Sequence, residues 1–423
     1  MTITRRQFVK SSLAMAPAAA LMPTVFTRAV AAAIGEQASQ GNRALVIVQM
    51  AGGNDGLNTI VPANDDRYYE VRPTVNVQAE DALPINREVG FHPGLAAFKE
   101  LWDEGVLAAV EGVGYPGPSY SHFQSMDIWQ TADPEKSGGF EGWAGRYLEG
   151  VPQGQGDGIR SLAVGRSLPR ALFTHKMSVP MVNKIEEYQF QDHPGAVADQ
   201  EQRTRALLGL YRAGGAPAQP FGEHMDSTLR AADSSSKALI GAHERYRSAV
   251  KYPDTRLGRS MKVVAEAVIG GLGLSVAHVK IKGFDTHASQ LPVHGDLLRD
   301  TADSMLAFYR DMQAQGRDQE VVLMTWSEFG RRVTENGSGG TDHGSAGPMF
   351  VLGTPVMGGL YGERPSLTDL VKNNFKYTTD FRQVYATMVE GWLGAPADAV
   401  LGGRFKQIPL LRRTPATTPR NHR

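Results

Sequence analysis

The sequence predicts an α/β protein: a three-layer sandwich around a mostly parallel central sheet, with a largely helical insertion. Three observations predict it. Short apolar runs have the length of buried strands: Ala44 to Met50, interrupted only by Gln49, Leu107 to Val110, Val321 to Met324 and Met349 to Leu352. Between them, apolar residues recur at helical spacing, as in Leu298, Ala302, Met305, Tyr309 and Met312. Several runs then break into loops that carry Gly, Asp, Ser or His, and open α/β sheets place their ligands beyond the carboxyl ends of strands.

Taken in order, the chain opens with Arg5-Arg6-Gln7-Phe8-Val9-Lys10, a weakly hydrophobic Ala-rich stretch from Leu13 to Phe26, and small residues around Ala29-Val30-Ala31. This pattern predicts a twin-arginine (Tat-type) signal over residues 1–31, with the Tat export machinery as partner and a periplasmic or secreted destination. The apolar part is too short and too proline-broken for a membrane span, and no spanning segment follows it. A single domain is expected over residues 42–411, followed by a basic, flexible tail over 412–423. The first strand ends in Ala51-Gly52-Gly53-Asn54-Asp55-Gly56, where paired glycines allow a sharp turn and close approach of a ligand; an empty Asn/Asp/Gly turn fits equally well.

Leu95, Phe98, Leu101 and Trp102 mark a helix, and the strand from Leu107 runs into a Gly/Pro-rich loop ending Ser119-Tyr120-Ser121-His122-Phe123-Gln124. Ser121 and Gln124 have capping-box spacing, so Ser121 reads either as a cap or as a nucleophile at a helix N-terminus. Residues from about 179 to 251 are polar and helical in pattern, an insertion whose histidines lack ligand spacing. Ala277, Val279 and Ile281 alternate with His278, Lys280 and Lys282, predicting a strand with one wetter face, and it ends at Asp285-Thr286-His287. The last two apolar runs enclose Ser327-Glu328-Phe329-Gly330-Arg331-Arg332 and Thr341-Asp342-His343-Gly344. Charged groups held between buried strands are costly unless paired or bound to something.

The totals exclude several classes. Lys+Arg and Asp+Glu are equal at 44 each, which gives no electrostatic case for nucleic acid. The absence of cysteine excludes disulfides, thiolate metal sites and cysteine-derived nucleophiles. Carboxylates and imidazoles at several strand ends, without sulfur, suit one or two divalent ions of the Zn, Mn, Mg or Ca kind.

The twin-arginine start, MAGGNDGLN, SYSHFQSMDIWQT, FDTH, WSEFGRR and TDHG, in this order, resemble the Tat-exported bacterial family known as domain of unknown function 1501. That family is in turn distantly similar to the alkaline phosphatase and sulfatase superfamily. The resemblance implies an alkaline-phosphatase-like fold in which Asp55 bridges two metals and Ser121 is the nucleophile. It also implies Asp285 with His287 as one ligand pair, and His343, with Asp342, as the late ligand. Glu328 falls where the superfamily has an Asp ligand, and Phe329 falls where it often has a His, which puts one metal site in doubt. Ser119 rivals Ser121.

The expected function is an exported, metal-dependent hydrolase of a phosphate or sulfate ester, acting on a small anionic ester or a surface polymer. Its metal would be held by Asp55, Asp285, His287, Glu328, Asp342 and His343. Arg331 would hold a non-bridging oxygen of the substrate, or simply face solvent. The alternative is a non-catalytic binding or structural protein that keeps the fold.

Overall fold

The computed structural model describes residues 43–135, 139–150, 159–185, 188, 202–206, 209 and 222–412. The expected signal, most of the expected tail and part of the expected insertion lie outside these residues.

The predicted runs join further short strands in a nine-stranded sheet among the described residues: β1 (Ala44–Ala51), β2 (Leu107–Gly114), β3 (Ser161–Val164), β4 (Met181–Val182), β5 (Val276–Lys282), β6 (Val321–Trp326), β7 (Gly347–Leu352), β8 (Gly359–Tyr361) and β9 (Thr379–Asp380). Their order is β8-β2-β7-β6-β1-β5-β3-β4, with β9 also pairing with β2. Leu45 to Ala51 of β1 pair in parallel with Val276 to Lys282 of β5, and Ala44 to Gln49 with Val321 to Trp326 of β6. The ends of these three strands therefore share one edge. Only β7 runs against its neighbours β2 and β6, so its amino end lies at that same edge.

Alternation along β1 shows why both faces need cover. Ala44, Val46, Val48 and Met50 join a core with α3 (Ala96–Asp103), α7 (Arg256–Ile269) and α8 (Gln290–Ala314). Leu45 and Ile47 join another with α4 (His122–Thr131), α5 (Trp143–Gly150), α9 (Phe381–Ala386) and α10 (Ala397–Leu401). Burying each large aliphatic side chain stabilises the fold by about 1.5–3 kcal/mol, enough to pin the sheet between its helices. Two short helices, α1 (Gly56–Thr59) and α2 (Asp66–Val71), follow β1 directly. In the expected insertion, α6 (Gly222–Arg245) packs Leu239 and Ala242 into the first core. No helix among the described residues is long and apolar enough to cross a membrane.

The sequence expectations need three corrections. The expected wetter face of β5 holds at Lys280, half-buried, and Lys282, exposed, but not at His278, which is only 2% exposed between the helices that cover the sheet. The region from 179 does not begin as helix, since Met181–Val182 forms an edge strand on β3. The β3 strand itself lies in a stretch that gave no clear pattern.

Candidate metal centre

The β1 and β5 exits touch. A Cβ on Gly52, whose φ is +128°, would lie 2.3 Å from the Asp285 nitrogen, so only glycine permits this approach. Asp285 stands at the centre of what gathers there. His343 Nε2 lies 3.0 Å and His287 Nε2 3.1 Å from Asp285 Oδ1, and His122 Nε2 lies 3.4 Å from Oδ2. The two Nε2 atoms of His287 and His343 are 3.0 Å apart. Donor atoms of His122, Asp285 and His343 all lie within 4.8 Å of one another.

Each imidazole is oriented from behind. Nδ1 of His122 meets Glu328 Oε1 at 2.8 Å, and Nδ1 of His287 meets Asp342 Oδ1 at 3.2 Å. Nδ1 of His343 donates to the Tyr120 carbonyl at 2.8 Å. A carbonyl only accepts, and an ionised carboxylate only accepts, so these contacts place a proton on each Nδ1; a neutral ring then turns its Nε2 lone pair toward Asp285, whereas an imidazolium donates there. Lone pairs converging on a carboxylate repel unless protons or a cation lie among them. Bonds of about 2.0–2.1 Å in a tetrahedral site imply donor separations of about 3.3 Å, close to those observed. An outer acceptor on the second nitrogen is the usual support of a metal-binding imidazole. The residues fit a divalent ion.

Burial and neighbouring charges shift several of these groups. Burial pushes the Asp285 carboxyl up, but hydrogen bonds from Arg331 and His343 outweigh it and hold the group near pH 2, at about 2. The hydrogen bond to Glu328 raises His122, whereas burial lowers His343. The Asn336 amide, with help from His287, holds Asp342 below its ordinary range. Phe329 packs its ring 4.9 Å from that of His122 and 4.6 Å from that of His343, lining the cluster where a further ligand was in question.

The structure places the expected residues unequally. Asp285, His287 and His343 meet directly. Glu328 and Asp342 lie behind histidines; Glu328 also accepts the Gly52 N–H at 2.9 Å, and its Oε2 has no partner among the described residues. Asp55, expected as a bridging ligand, is engaged in an ion pair. Its 1%-exposed carboxylate receives Arg72 at 2.6 and 3.1 Å, caps α1 through Leu57 N–H, and takes the Gln290 amide. Burial would raise Asp55, but the Arg72 charge and hydrogen bond prevail and hold it at about 2.

Arg331, expected either to hold a substrate oxygen or to face solvent, is turned inward. It is 2% exposed and donates to the carbonyls of Gly52, Gly53, Phe284 and Thr341 and to Asp285 Oδ1 at 2.7 Å. Its neighbour Arg332 stays 45% exposed, 3.8 Å from Asp342.

Ser121 is the N-cap residue of α4, but its side chain makes no capping bond; Ser119 Oγ instead donates to Gln124 Oε1 and accepts from the Ser121 N–H. The expected capping box is therefore absent. In the sequence His122 reads as an acid/base, a ligand or a structural histidine and is assigned no role, and Arg72 and Gln290 are not singled out at all. The SYSHFQ motif held His122 in view, while nothing local marks the other two.

No curated protein matches the sequence. Solved structures similar to it include a PsFucS1 sulfatase from Pseudoalteromonas sp., at 12% identity and TM-score 0.36, covering 92% of this chain and 75% of that one. Another is the lipoteichoic acid synthase LtaP from Listeria monocytogenes, at 7% and 0.38, covering 88% and 78%. A third is an alkaline phosphatase superfamily protein from Vibrio parahaemolyticus, at 9% and 0.33, covering 82% and 71%. These likenesses are too remote to bear on chemistry. The family model described as "Protein of unknown function (DUF1501)" matches residues 107–396, well over half of the sequence, and the chain belongs to that family.

Proposed function

We propose that the protein is an exported hydrolase of phosphate or sulfate esters, built around one divalent ion held by Asp285, His122, His287 and His343. The observation that carries the metal reading is the set of three imidazoles, each braced at Nδ1 and turned at Nε2 toward one carboxylate. When bound, such an ion supplies Lewis acidity to an ester oxygen and lowers the pKa of a nearby hydroxyl.

Ser121 is the nucleophile of this reading. Its hydroxyl is not spent on capping, and it adjoins the ligand His122 at the N-terminus of a ten-residue helix, where the dipole favours an attacking or transferred anion. Ser121 Oγ would attack phosphorus or sulfur, the alcohol would leave with a proton, and water would then release the anion. Arg332 supplies exposed positive charge at the cluster edge. The competing reading, a binding protein without turnover, draws support from Arg331, whose buried guanidinium is committed to carbonyls rather than to a ligand.

Elemental analysis of protein purified without chelator tests the metal, with one divalent ion per chain expected and little in a His287→Ala/His343→Ala variant. Nitrophenyl phosphates and sulfates, assayed on wild type and Ser121→Ala, test the chemistry. Full occupancy with no turnover of any ester would favour the binding protein, and turnover indifferent to Ser121→Ala would remove Ser121.

A further inference from the structure

A separate cleft of about 650 Å³ opens beside the cluster, within the range of about 300–1,000 Å³ typical of small-molecule sites. It lies between α1, the start of α2, the Arg87–Glu88 turn, the end of β2 and the segment Arg364 to Thr368. Ala346, Gly347 and Pro348 also line it, on the stretch that leaves His343 for β7. None of the cluster residues lines it.

The chemistry of its walls narrows what would fit. Leu57, Ile60 and Phe375 supply apolar surface, while four carboxylates and three guanidiniums stand around them. One wall is built: Glu111, 7% exposed, is gripped by Arg364 at 2.9 and 3.4 Å, and Arg364 also reaches Glu88 at 3.3 Å. Arg67 is drawn to Glu70, and Asp65 caps α2. Arg87 and Asp66 form no ion pair among the described residues.

A phosphate or sulfate would meet more negative than positive charge, with two of the three cations already engaged. An acyl chain would strip water from Arg87 and Asp66 and return no hydrogen bond. A hydroxyl both donates and accepts, so neighbouring hydroxyls can satisfy a guanidinium and a carboxylate together while C–H faces rest on Leu57, Ile60 and Phe375. We infer that this cleft binds an uncharged, polyhydroxylated ligand, namely a neutral oligosaccharide. This inference is independent of catalysis at the cluster.

The test is calorimetry and saturation-transfer NMR with neutral di- and trisaccharides, against inorganic phosphate, sulfate and octyl-chain detergent, using the full-length protein. Thr368→Trp fills the cleft from an exposed position, and Arg87→Ala removes its free cation. Saturable binding of a neutral saccharide is expected, weakened about tenfold or more by either substitution, or roughly 1.4 kcal/mol. It should survive in His287→Ala/His343→Ala protein, which separates this site from the metal centre. Failure of every saccharide to saturate the wild type overturns the inference. So does saccharide binding indifferent to Thr368→Trp, or saturation only by the anions or the detergent.

Discussion

Arg72→Met is the substitution that best separates the ion-pair role of Asp55 from a metal-bridging one. Arg72 and Asp55 are 0% and 1% exposed, and removing the guanidinium leaves a buried carboxylate with only the Gln290 amide and one backbone N–H. Breaking a buried pair on one side costs about 3–5 kcal/mol, because the remaining charge is uncompensated. The Arg72 guanidinium also donates to the Val333 and Arg332 carbonyls, so the upper part of that range is expected. Asp55→Asn in the Arg72→Met background should restore part of the loss, since the orphaned charge is gone.

The pH dependence has a definite sign. Asp55 is held at about 2, against an ordinary value of 3.8, so its folded-state pKa is depressed. The pair then stabilises the fold fully above about pH 4, by about 2 kcal/mol, and that contribution is lost as pH falls through the interval toward 2. Urea unfolding of wild type and variants, at pH 7 and at pH 3, measures both quantities. The variants should keep one divalent ion per chain. Loss of metal from Asp55→Asn, with stability intact, would refute the reasoning and return Asp55 to the ligand set.

Glu328→Gln leaves Asp285, His287 and His343 in place but weakens the acceptor behind His122. Metal affinity should fall by about 10–100-fold without loss of the fold, as read by competition with a chelator; unchanged affinity would separate His122 from the site. Asp311→Ala strips the shared acceptor of Tyr246, Ser248 and Tyr252, at 2.6, 2.6 and 2.8 Å, which ties the segment after α6 to α8. A loss of about 3–5 kcal/mol in denaturant unfolding is expected, with metal content unchanged.

Strands β1, β2, β6 and β7 were legible because apolar runs have few other uses in a chain of this composition, and β5 by its alternation; the short strands β3, β4, β8 and β9 carry no such run. Their direction was not: Met349 to Leu352 reads the same whichever way it runs, and only pairing with β2 and β6 makes β7 antiparallel. Asp285 and His287 stood out because polar donors followed a strand pattern directly, and His343 because it sits in a polar loop between two apolar runs. Their sorting into inner and outer groups did not, since it depends on contacts such as His122 to Glu328, 206 residues apart. Arg72 was hidden for a related reason. An arginine in a polar stretch reads as exposed, and its burial follows from a carboxylate and two carbonyls that the fold brings to it.

Under the proposed reading, charge balance favours a single ion at the cluster. Asp285, Glu328 and Asp342 bring three negative charges, and the buried Arg331 returns one positive charge, leaving two unneutralised around three imidazoles. One divalent cation would cancel that remainder if the histidines bind it as neutral ligands, which the outward Nδ1 contacts allow. A second would leave two positive charges in a site whose remaining candidate ligand, Asp55, is already neutralised by Arg72. Adding the exposed Arg332 to the singly loaded cluster gives a net positive site, the sign that draws an anionic ester inward. The pairing of Asp55 with Arg72 and the bracing by Arg331 are thus two parts of one arrangement: both remove charge that a two-metal centre would have needed.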